Sequence, residues 1–114
     1  MAAIKDIVCE DFQFAVEDAC LGKNILEITS ELTRSAARIN RSLTIAAVSC
    51  GCISINSEKG MQGRLCPGCR RTLENELTSS LFAACALASQ AGISIYDVML
   101  REKRRLSLIG SHIL

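Results

Sequence analysis

Apolar residues recur along most of this chain at intervals of three and four, the spacing that lines one face of an α-helix. The first such segment runs from about Asp6, a candidate N-cap, to Cys20, with Val8, Phe12, Ala15 or Val16, and Ala19 in register. Gly22 follows where a left-handed helix terminus belongs. A second, longer stripe opens after Asn24 with Ile25, Ile28, Leu32, Ala36, Ile39, Leu43 and Ala46. It frays near Val48. Leu73, Leu77, Leu81, Ala84 and Ala88 mark a third helix that stops at Gly92, and Pro67 suits its first turn. Ser94 with Asp97 resembles a capping box for a fourth helix, which carries Ile95, Val98 or Met99, and Leu106 and ends near Gly110.

The pattern predicts an all-α fold, a four-helix antiparallel bundle with one irregular connection between the second and third helices. Ile53 and Ile55 form at most a short extended piece there. A length of 114 residues sets the expectation of one domain over 1–114. So small a chain buries little apolar surface alone, and homo-oligomerisation is expected.

Composition narrows the function. The chain is 49% hydrophobic and 22% charged, with net charge +1, which excludes a disordered chain and gives no reason to expect a nucleic-acid partner. The longest apolar run, Leu81 to Ala88, is far short of a membrane span, and acids at Asp6, Glu10 and Asp11 interrupt the position of a secretory signal. No membrane association and a reducing, cytoplasmic setting are the expectation.

Seven cysteines change that plain picture. Their odd number argues against a closed disulfide framework. Cys9, Cys20 and Cys85 are isolated and suit small core positions, whereas Cys50, Cys52, Cys66 and Cys69 form a C-x-C and a C-x-x-C on either side of the irregular connection. Folding the second helix back on the third brings the two pairs together. Four thiolates suit tetrahedral Zn²⁺, or an iron–sulfur cluster, and Gly51, Gly63 and Gly68 supply the tight turns. Arg64, Arg70 and Arg71 would offset the charge of such a centre. Two alternatives stay open. Cys50 and Cys52 pack a helix end while Cys66 caps the next helix, or Cys66-Pro67-Gly68-Cys69 acts in redox chemistry.

Three carboxylates form a second candidate. Glu27 and Glu31 are four apart on one helical face, and Glu76 near the start of the third helix lies opposite in an antiparallel hairpin. Such a trio suits Mg²⁺, which polarises phosphate oxygens and helps generate hydroxide. Each acid also has an ordinary role available: Glu27 as the third residue of a capping box on Asn24, Glu31 as a partner of Arg34 or Ser35, Glu76 as a surface acid. Lys103, Arg104 and Arg105 are candidates to contact a nucleotide's phosphates, or to complement a helix dipole. The single histidine, His112, sits near the chain end, where a mobile role is commoner than catalysis.

At these residues the chain resembles a known family. Asn24-Ile25-Leu26-Glu27-Ile28-Thr29-Ser30-Glu31-Leu32 looks like the E-E-x-x-E helix of MazG-like all-α nucleoside triphosphate pyrophosphohydrolases. Asn75-Glu76-Leu77-Thr78-Ser79-Ser80-Leu81-Phe82 looks like their following E-x-x-D segment, and Ala91 to Met99 with Arg101-Glu102-Lys103 resembles their next helix. The resemblance implies a MazG-like bundle in which Glu27, Glu31 and Glu76 hold Mg²⁺ while water releases pyrophosphate from a nucleoside triphosphate. Two family acids are replaced, by Ile28 and Ser79. The alternative function is a helical interaction or regulatory module that has lost catalysis and is stapled by zinc.

Overall fold

The computed structural model describes the backbone of residues 4–113 and the side chains of 8–109. His112, a candidate from the sequence, has its side chain outside the described residues. Among the described residues are four helices: α1 (Ile4–Ala19), α2 (Ile25–Thr44), α3 (Pro67–Gln90) and α4 (Ile95–Ile113). A π-helical turn, Ile45–Cys50, extends α2, and strands β1 (Ile53–Asn56) and β2 (Gly60–Gly63) pair antiparallel. The chain is thus mostly helical, with a small sheet. None of the helices is by itself long and apolar enough to cross a membrane.

The helix boundaries follow from local chemistry. Asn24 caps α2: its Oδ1 accepts the Glu27 N–H at 2.9 Å and its Nδ2 donates to Glu27 Oε1 at 3.1 Å. Ser94 caps α4, its Oγ accepting the Asp97 N–H. Gly22 and Gly92 close α1 and α3 with positive φ, and the Ile93 N–H reaches back to the Ala88 carbonyl at 2.8 Å. The fourth helix outruns its expected end near Gly110, because a single internal glycine costs only about 1 kcal/mol against alanine.

The irregular connection holds a hairpin that the apolar pattern left unassigned. Asn56 Oδ1 accepts the N–H groups of Glu58 and Lys59, folding the chain back, and Gly60 completes the turn at φ +71°. Ile53 pairs with Gly63, and its side chain is buried at 3% exposure. β2 reads Gly-Met-Gln-Gly, with no apolar alternation to announce a strand.

Contacts divide the chain into two compact units, 1–28 with 84–114, and 29–83. In the first, the Gln13 amide donates to Ser89 Oγ and to the Ile93 carbonyl, while its Oε1 accepts the Ile95 N–H, so one side chain ties α1 to the α3–α4 turn. Val16, Cys20, Ile28, Cys85, Ala86 and Ala88 are its buried residues. In the second, α2 and α3 run antiparallel, with Ser35 and Ser80 sharing a 2.8 Å hydroxyl bond. Ala46, Ile53 and Ala83 are buried there beside Ser35 and Ser42. Of the isolated cysteines, Cys20 and Cys85 are buried as expected and Cys9 is half-buried against Met99.

At Gly63, φ is +87° and a Cβ would stand 2.8 Å from the Cys52 carbonyl oxygen; at Gly60 it would meet nothing. Gly63→Ala is therefore expected to destabilise the fold by about 2 kcal/mol and Gly60→Ala by about 1 kcal/mol. Urea unfolding followed by circular dichroism checks the order, and equal losses would contradict the backbone contact.

Candidate metal centre

The two cysteine pairs come from different kinds of local structure. The π-helical turn ends at Cys50, and the Gly51 N–H closes it on the Ala46 carbonyl at 2.9 Å. Gly51 adopts φ +77°, reversing the chain so that Cys52 immediately precedes β1. Cys66 is the N-cap of α3 and Cys69 lies in its first turn: the Cys66 carbonyl accepts the Arg70 N–H, and its sulfur accepts the Cys69 N–H at 3.4 Å. The hairpin between the pairs returns the second to the first.

All four Sγ atoms lie within 4.8 Å of one another. Cys50 Sγ and Cys66 Sγ are 3.8 Å apart. A regular tetrahedron with Zn–S bonds of about 2.3 Å has edges of about 3.8 Å. The quartet therefore matches a structural tetrahedral site. Capping and ligation are compatible, because the Cys66 sulfur that receives a backbone N–H is also turned toward the other three.

The electrostatics select one sulfur. The Cys69 N–H, then the thiols of Cys69 and Cys50, draw Cys66 down to about 7, whereas donation to Cys66 pushes Cys69 up to about 12 and raises Cys50. One thiolate held by neighbouring S–H groups is the metal-free counterpart of a metal-bound set. Arg64, Arg70 and Arg71 are exposed beside these ligands in the chain.

The carboxylates have partners of their own. Glu27 is engaged in the α2 cap. Glu31 receives Arg38 at 2.7 Å and Arg34 at 3.2 Å, and Glu76 receives Arg38 Nε at 2.5 Å. The hydrogen bond from Arg38 holds the Glu31 carboxyl below its ordinary range; burial opposes it, and a weaker hydrogen bond from Arg34 adds to the lowering. Glu31 and Glu76 do converge from facing helices, with a guanidinium at their meeting point. Arg38 is the residue the sequence reading passed over, although it stands seven after Glu31, on the same helical face. Ile28, at the first departure from the family pattern, is buried at 4% exposure; Ser79, at the second, donates to the Asn75 carbonyl of its own helix. Lys103 lies exposed within α4, away from the helix end where the sequence had placed it.

Comparison of the chain with known protein families, curated proteins and solved structures finds no match.

In metal-free protein at pH 7, Cys66 is about half thiolate, against about 1% for a thiol near 9. Iodoacetamide is expected to modify Cys66 more than about 100-fold faster than Cys69, with half its limiting rate reached near pH 7. Peptide mapping by mass spectrometry reads this directly, and saturating zinc is expected to protect all four cysteines.

Proposed function

We propose that this chain is a divergent MazG-like helical protein acting as a non-enzymatic interaction or regulatory module. Zinc held by Cys50, Cys52, Cys66 and Cys69 braces its α2–α3 connection. The approach of all four sulfurs to within 4.8 Å carries this reading. Zn²⁺ would supply a fixed tetrahedral crosslink, with no open position for substrate. The state of the acids supports a non-catalytic role. Arg38 already bonds both the Glu31 and Glu76 carboxylates with a cation of this chain's own, so Mg²⁺ would have to displace that guanidinium. The replacements Ile28 and Ser79 are committed to the core and to a local backbone bond.

One observation favours the second reading, a Mg²⁺-dependent nucleotide pyrophosphohydrolase. Glu31 and Glu76 point at one place from two helices. With Arg38 swung aside, their oxygens could take a hard cation, and Glu27 and Lys103 would be the further groups to test.

Two measurements distinguish these readings. Protein purified without added metal is expected to carry about one zinc per chain, and strong chelation to lower its thermal midpoint by about 10–20 °C, corresponding to a loss near 3 kcal/mol. Less than about a tenth of an equivalent of zinc in reduced protein would sink the metal claim. Nucleoside triphosphates with Mg²⁺ or Mn²⁺ are expected to yield no pyrophosphate; turnover abolished by Glu31→Ala would establish the enzyme instead.

A further inference from the structure

Within the first unit, α4 leaves its packed neighbours early. Tyr96 and Leu100 are half-buried, but every residue from Arg101 to Ile109 is exposed. Val98, Met99, Leu106 and Ile109 nevertheless fall within one narrow sector of the helix, with exposures of 38, 52, 55 and 37%. A helix of this length gains too little from its own hydrogen bonds to stand alone in water, and needs an apolar face covered. α1 has a matching stripe. Val8 and Phe12 are exposed at 58 and 37%, and Ala15 and Ala19 continue the line.

Charge identifies the occupant. α1 exposes Glu10, Asp11, Glu17 and Asp18, with Asp11 and Asp18 flanking its apolar stripe; on α4, exposed Arg101, Lys103 and Arg105 flank the stripe, Arg104 lies on the opposite face, and Glu102, ion-paired with Arg105, sits within the stripe. Pairing two α4 helices would set bases against bases, and pairing two α1 helices acids against acids. Crossed pairing sets acids against bases and apolar stripe against apolar stripe. We propose that a second copy of this chain docks here, α1 of each copy lying against the Arg101–Ile109 stretch of α4 of the other.

Sedimentation of the full-length reduced protein tests this, at concentrations up to about 0.1 mM. Twice the 12.3 kDa chain mass is expected, with association weakening as salt rises. Leu106→Glu and Val8→Glu each bury a charge in the pairing and are expected to raise the dimer dissociation constant at least about 100-fold. Both positions are exposed within the chain, so the helical circular dichroism of each variant should persist. A monomer at every concentration would overturn the proposal, leaving a partner of other chemistry for this surface. So would a dimer indifferent to both variants, or one lost with Leu106→Glu but kept with Val8→Glu, which would mean α4 pairing with α4.

Discussion

The second unit depends on bringing Cys50 and Cys52 back onto Cys66 and Cys69. Its buried residues are Ala46, Ile53 and Ala83 beside Ser35 and Ser42, which is little apolar volume for two long helices. A two-stranded hairpin adds little by itself. The local geometry is nevertheless committed to the closure. α2 widens into a π turn, Gly51 reverses the chain, Asn56 and Gly60 fold the hairpin, and Gly63 gives β2 room beside the Cys52 carbonyl. Each of these elements carries its own conformational cost, and they share one product: four sulfurs at one point. A crosslinking metal, as proposed for this site, would supply the stabilisation that so small a core lacks.

Charge explains why the same unit can hold three ionised groups without a bound cation. Glu31, Glu76 and Arg38 are half-exposed, and the arginine bonds both acids. Pairs of this exposure contribute little to stability, since water screens them. Their effect is on what else can bind. A carboxylate already bonded to a guanidinium offers fewer lone pairs and less net charge to a divalent ion, and an incoming Mg²⁺ would lose hydration without gaining a free anionic donor set. The resemblance in the α2 and α3 acids therefore carries less chemical weight than their spacing suggests. The cysteine quartet, which the resemblance does not include, carries more.

The helices were legible because their signals are periodic and local: the stripe from Ile25 to Ala46, the Asn24–Glu27 cap, the glycines at 22 and 92. The quartet was legible for the same reason, since two close pairs flanking a turn need only that turn to meet. The hairpin was not, because Gly60-Met61-Gln62-Gly63 pairs through backbone hydrogen bonds that leave no mark in side-chain pattern. The better signal was Asn56 followed by Gly60, a turn written in polar residues. Arg38 was missed because Glu31 was paired with its nearer neighbours Arg34 and Ser35, and no base was sought two turns along the same face. A basic residue seven positions after Glu31, on the same face, is as much a statement about that acid as a second carboxylate would be.

Neither compact unit exceeds about 60 residues, the size at which a single apolar core becomes marginal. The two answer that shortage differently. The second gathers its sulfurs around one point and keeps small residues where its helices face each other. The first keeps Val16, Ile28 and Cys85 inside, and leaves Val8, Phe12, Met99, Leu106 and Ile109 to the surface. An exposed leucine alone means nothing, but two apolar stripes edged with opposite charge form a surface whose complement is already present in every copy of the chain. The proposed metal and the proposed self-association would then be two solutions to one problem: how a sequence poor in aromatics, with only three phenylalanines and no tryptophan, acquires a core larger than it can build alone.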